Sequence, residues 1–133
     1  MSATFDAFMK SREAAARAYV SGDASPVLAL SATDGQATFF DPGGGFTEGA
    51  EAVNRANRDG AAMFGPAGTT RFEIHDKAES GDLAFWTGYQ IAEVELAGKP
   101  GKIPMKLRIT EVFRRDGDDW RMIHRHASMA KDS

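Results

Sequence analysis

Hydrophobic positions in the first part of the chain recur at helical spacing. Phe5, Phe8, Met9, Ala16, Tyr19 and Val20 fall on one stripe at 3.6-residue spacing, which predicts a helix over Ala3 to Ser21, with Gly22 as its stop. Arg12 interrupts that stripe near its middle. It is either a snorkelling side chain whose stem covers apolar surface, or a cation held inside a pocket or paired with a buried carboxylate. Ser25-Pro26 opens a short second helix, because serine accepts from orphan N–H groups and proline at the first helical position forfeits no bond. Gln36 to Asp41 reads as a short strand, and Ala50 to Phe64 as a third helix with Val53, Ala56, Gly60, Met63 and Phe64 inward. After Gly65-Pro66-Ala67-Gly68 the period changes to that of strands, at Thr70 to Ala78, Leu83 to Leu96, Met105 to Arg115 and Trp120 to Ser128. Helices first and a meander afterwards is a segregated α+β pattern. A strand as long as Leu83 to Leu96 must bend or bulge to stay on a small domain, and a strongly curved sheet over helices encloses a concavity suited to a small molecule.

The last hairpin fixes candidate neighbours. With Asp116 opposite Asp119 across Gly117-Asp118, a regular register sets Glu111 against His124, Ile109 against His126 and Phe113 against Met122 on one face, with Arg108, Thr110 and Val112 against Ala127, Arg125 and Ile123 on the other. A carboxylate facing an imidazole could orient the ring for acid–base work, or be a structural or interface ion pair. His124-x-His126 could seed a metal site only with a third ligand such as Glu111, Asp41 or His75, and nothing in the spacing supplies one, so no metal and no cofactor is expected. Asp41, between Phe39-Phe40 and Pro42-Gly43-Gly44-Gly45, is placed either at a cavity mouth or as the acceptor of a turn. The glycine run lacks the Lys-Ser/Thr of a phosphate loop.

Composition narrows the partners. At 133 residues with 42% hydrophobic and 26% charged residues, one domain with a real core is expected. A net charge of −3 argues against nucleic-acid binding, which draws on clustered Lys and Arg. No cysteine is present, so thiolate chemistry and disulfides are absent. Ser11, Arg12 and Glu13 break any apolar signal core and no run is long enough to span a membrane, so a cytoplasmic location is expected.

Phe-Phe-Asp-Pro-Gly-Gly-Gly at 39–45, followed by Gly49 and Ala52-Val53, and the ending Trp120-Arg-Met-Ile-His124-Arg-His126-Ala-Ser128 together resemble the nuclear transport factor 2-like superfamily, which includes ketosteroid isomerases and SnoaL-like cyclases. The W-x-x-x-H-x-H-x-S ending also resembles the association domain of calcium/calmodulin-dependent kinase II. The resemblance covers nearly the whole chain. It implies a cone-shaped α+β barrel, three helices on a strongly curved antiparallel sheet, with a deep pocket and homodimers formed through the sheet. It also implies that Asp41 matches the isomerase general base and that Glu111 falls near the second acid, with Thr110 the neighbouring candidate. The isomerase tyrosine has no counterpart: Ala15 stands in its place and Tyr19 lies one helical turn further on.

Two functions follow. One is an acid–base enzyme for a small apolar carbonyl compound, with Asp41 abstracting the proton. Glu111, His124 or Tyr19 would stabilise the enolate, Trp86, Phe39 and Phe64 would pack the substrate, and Thr110 and His126 would line the site. The other is a non-catalytic ligand-binding or oligomerisation domain.

Overall fold

The computed structural model describes residues 4–131. Its elements are α1 (Phe5–Tyr19), α2 (Ser25–Leu30), β1 (Thr38–Phe40), β2 (Phe46–Glu48), α3 (Ala50–Ala61), β3 (Thr69–Ser80), β4 (Leu83–Val94), β5 (Ile103–Asp116) and β6 (Asp119–Met129). Every helix and strand expected from the pattern is present with ends shifted by a few residues. Ala3, the expected start of the first helix, lies outside the described residues. Thr4 caps α1 instead, its side chain accepting from the Ala7 N–H at 3.1 Å, with Asp6 in the first turn where the helix dipole favours an acid.

The sheet is six-stranded in the order β2-β1-β6-β5-β4-β3. It is open rather than a closed barrel, and mixed rather than antiparallel. β1 runs parallel to β6 with Thr38 beside His124 and Phe40 beside His126, while its other neighbour is the short β2. The remaining pairs are the expected meander. The β5–β6 hairpin turns through Gly117, whose φ of 63° is open to glycine at no steric cost.

α1 lies across the concave face and divides the interior along its length. At its start, Phe5 and Phe8 pack on Phe113 and Trp120 with ring centroids 5.2–5.6 Å apart, filling one end of the cone with aromatic side chains. At its far end, Tyr19 and Val20 meet Phe64 and Met105 around space that is left unfilled. Arg12 lies between the two ends, 3% exposed.

The curvature expected of β4 is delivered by its neighbours. β3 carries a bulge at His75, between Ile74 and Asp76, where it crosses Gly88 of β4. A Cβ at Gly88 would sit 2.0 Å from the Glu73 carbonyl oxygen, so only glycine admits this approach. Gly88→Ala is expected to lower stability by about 1–3 kcal/mol as the strands are forced apart, read as a lower urea midpoint with an unchanged slope.

Candidate functional site

Glu111 organises the centre of the molecule. It stands on the inner face of β5 with no exposed surface. Arg12 of α1 meets it side-on, Nε donating to Oε1 at 2.8 Å and Nη2 to Oε2 at 2.7 Å. The Trp86 indole N–H donates to Oε1 at 2.8 Å from β4, and Arg125 Nη1 donates to Oε2 from β6. Each carboxylate oxygen therefore has two donors, a complete set for a buried anion. Arg125 is held in turn by Gln90, whose Oε1 accepts from Nη2 at 2.8 Å. Burial acts to raise the Glu111 pKa, but the two guanidiniums outweigh it and bring it down to about 2.

This geometry corrects the expected pairing of Glu111 with His124. The regular register holds from Asp116–Asp119 to Phe113–Met122, then a bulge between Val112 and Phe113 takes Ile123 out of step. Beyond it Glu111 faces Arg125, Val112 faces His124 and Thr110 faces His126. One extra residue exchanges the faces of the strand: Arg125 turns inward, and His124 and His126 turn outward. His124 Nδ1 lies 2.6 Å from the Thr38 hydroxyl, and burial followed by the nearby His126 lowers the His124 pKa. Thr110 is exposed on the same outer face, 3.2 Å from the Thr87 hydroxyl. Among the described residues no three His, Asp or Glu side chains gather as a metal site.

The interior pocket opens beyond Arg12 and has a volume of about 390 Å³. Its walls are largely apolar: Val20, Phe39, Phe64, Met105, Leu107 and Met122 all contribute. Its polar groups are few. Arg12 and Arg125 reach it from the ion cluster, Gln90 from β4, Tyr19 from α1, Asn57 from α3 and Asp41 from the turn after β1. Burial raises the Tyr19 pKa, with Arg125 and Arg12 pulling the other way, so the phenol stays protonated and can donate. Asp41 is half-buried and also serves the turn: Oδ1 accepts from the N–H groups of Gly43 at 2.9 Å and Gly45 at 3.0 Å. It is the only carboxylate on the pocket wall among the described residues.

Of the residues read from sequence, Tyr19, Phe39, Asp41 and Phe64 meet at this pocket. Trp86 lies behind it, its ring stacked on Phe72 at 4.5 Å and its N–H on Glu111. His124, His126 and Thr110 are on the other side of the sheet. Met63, expected inward, borders the pocket but is 64% exposed. Gln90, Asn57 and Arg125 were missed. Asn57 had a visible signal, since it falls four residues after Val53 on the inward stripe of α3.

The pKa of Glu111 sets an acid limb. Its folded value lies below its ordinary 4.5, so its ionised form stabilises the fold at pH above about 5, and this contribution is lost as pH falls toward 2. The wild type should lose about 3 kcal/mol across that window from this group. Glu111→Gln should be less stable by about 3–5 kcal/mol at pH 7, with two guanidiniums left uncompensated, and should show a flatter acid limb. Urea unfolding at a series of pH values measures both.

Comparisons with known proteins place the chain. The SnoaL-like domain family model matches residues 10–132. No curated protein matches the sequence. Among solved structures, a proposed dehydratase of the NTF2-like family from Streptomyces avermitilis is similar at 23% identity, with 94% of each chain covered and a TM-score of 0.74. A proposed ketosteroid isomerase from Parabacteroides distasonis is 24% identical, covering 95% of this chain and 87% of that one, with a TM-score of 0.67. The CaMKII hub of S. rosetta is 21% identical, covering 94% of this chain and 95% of that one, with a TM-score of 0.68. At these identities the neighbours establish a shared α+β fold, and the family match adds that this chain belongs to the SnoaL-like domain family.

Proposed function

We propose that the protein is a small-molecule enzyme whose interior pocket binds a mostly apolar carbonyl compound, with Asp41 removing a proton from the carbon next to the carbonyl. The observation that carries this reading is the pocket itself: an apolar cavity with one carboxylate on its wall and a protonated phenol among its few polar groups. Of the three residues expected to stabilise an enolate, Glu111 is saturated by four hydrogen bonds and His124 lies on the outer face. Tyr19 is left, and its hydroxyl donates to the carbonyl oxygen as charge develops there. Asp41 Oδ1 is engaged by two backbone N–H groups, which orients the carboxylate and leaves Oδ2 as the basic oxygen.

A second reading, self-association through the outer face of the sheet, is favoured by a different feature. Phe40 and Phe46 are 40% and 54% exposed, stacked at 4.9 Å, with Phe40 5.3 Å from His126 and 5.7 Å from His124. Aromatic rings exposed together on a sheet face suit the surface of a second copy, as in a homodimer.

Exchange of the α-protons of 2-tetralone in heavy water, followed by proton NMR, tests the enzyme reading without knowledge of the natural substrate. The wild type should accelerate exchange, and Asp41→Asn, which keeps the turn acceptor, should lower the enzymatic rate by about 10²–10⁴-fold; an unchanged rate with a native melting temperature overturns the role of Asp41. For the second reading, Phe46→Glu should shift sedimentation from dimer toward monomer, and a wild type that sediments as a monomer removes that reading.

A further inference from the structure

Three buried side-chain atoms are shut away without a partner: Nη1 of Arg12, Oδ1 of Asn54 and Nε1 of Trp120. Asn57 differs from all three. It is 5% exposed, and among the described residues its side chain makes no hydrogen bond. Its amide atoms are nevertheless not enclosed, and the residue lines the pocket. A buried amide with no partner costs free energy, and an apolar side chain of the same size would avoid that cost. Folding alone therefore gives no reason for asparagine at this position.

The Tyr19 hydroxyl is its neighbour. It rests against Gly60 of α3, so closely that a Cβ on Gly60 would sit 2.2 Å from the phenol oxygen. Gly60 stands three residues after Asn57, one turn along the same face of α3. Glycine inside a helix is less favourable than alanine; here its bare Cα makes room for the hydroxyl. Tyr19 also lines the pocket, and among the described residues its hydroxyl makes no hydrogen bond. Two unpartnered polar groups, one from α1 and one from α3, thus meet the cavity side by side. Gln90 Nε2 and Arg125 Nε also lack a partner among the described residues, but Gln90 and Arg125 are tied to each other and to Glu111. Asn57 is the group that Gly60 sets beside the phenol.

We propose that Asn57 is a second catalytic donor, whose Nδ2–H joins the Tyr19 hydroxyl on the carbonyl oxygen of the ligand. The inference rests on the proposed enzymatic role of the pocket and deepens it. When Asp41 takes the α-proton, the electron pair of the broken C–H bond moves toward the carbonyl oxygen, and charge develops there. Two donors aimed at one oxygen stabilise that charge more than they stabilise the neutral carbonyl. When a proton returns from Asp41 to the carbon, the pair moves back and both donors are left unchanged.

The test is Asn57→Leu in the 2-tetralone exchange assay, with kcat and KM measured separately. Leucine has nearly the same volume and no donor. The variant should lose about 10²-fold in kcat, with KM changed by less than about twofold. Its melting temperature should equal or exceed that of the wild type, because the amide has no partner within the fold. An unchanged kcat overturns the role of Asn57 and leaves Asp41 and Tyr19 standing. A loss confined to KM overturns it as well, since the contact is then equal in ground and transition states. If the wild type does not accelerate exchange, the enzyme reading and this inference fall together. Should Asn57→Leu be destabilised, wild-type protein labelled with ¹⁵N-asparagine decides the matter. The chain has two asparagines, and Asn54, whose Nδ2 donates to the Ala32 carbonyl at 3.0 Å, is the internal reference. 2-Naphthol, a planar mimic of the enol, should move the Asn57 amide resonances and leave those of Asn54, while naphthalene should move neither. No movement of Asn57 with 2-naphthol, or equal movement with naphthalene, overturns the inference.

Discussion

The structure depends on keeping one carboxylate charged in its interior. Desolvating an ion costs several kcal/mol, and the cost is recovered only when every lone pair is met in good geometry. Glu111 meets that condition through four donors drawn from α1, β4 and β6 onto β5. The cluster therefore joins the helix to three adjacent strands at a single point. An apolar layer of the same volume could stabilise the fold as well or better. What such a layer could not provide is a pair of guanidiniums at the wall of a cavity.

The same cluster sets where the cavity begins. Along α1 the interior passes from Phe5 and Phe8, through Arg12, to Tyr19 and Val20, and along β5 it passes from Phe113, through Glu111, to Leu107 and Met105. On one side the rings of Phe5, Phe8, Phe113 and Trp120 fill the cone; on the other, thinner side chains leave about 390 Å³ open. The charged layer is the floor of the pocket. Its position follows from Arg12 standing midway along an otherwise apolar helical stripe.

Much of this was legible before any coordinates. The helical stripe of α1, the turn glycines and the strand alternation follow from local chemistry, and local chemistry decided them. Arg12 in an apolar stripe already raised a buried carboxylate as one of its possible partners, beside the reading of a snorkelling side chain, and its pairing with Glu111 decides between them. What the pattern could not carry was the exact partner. A hairpin register extrapolated from Gly117 stays in step only until the first bulge, and nothing about Ile123 as a residue type marks it as the extra one. The parallel pairing of β1 with β6 joins segments some 86 positions apart, beyond the reach of any local signal. Asp41 could be read equally as a turn acceptor or as a pocket carboxylate, and its position serves both: its Oδ1 closes the turn while the residue stands on the cavity wall.

The bulge in β6 also shows why the regular register was the wrong choice on energetic grounds. In step, His124 would have faced Glu111, and Arg125 would have been carried to the outer face. A single guanidinium from Arg12 would then have shared the buried carboxylate with an imidazole whose ordinary pKa leaves it largely neutral near pH 7. Shifting one residue exchanges that imidazole for a second permanent cation and moves both histidines to a surface where they can be hydrated or covered. The exchange over-compensates Glu111 and so leaves the interior positive. The sheet irregularity and the excess charge of the interior are thus one feature: the residue inserted at Ile123 is what brings Arg125 inside, where it takes its share of Glu111 Oε2 beside Arg12.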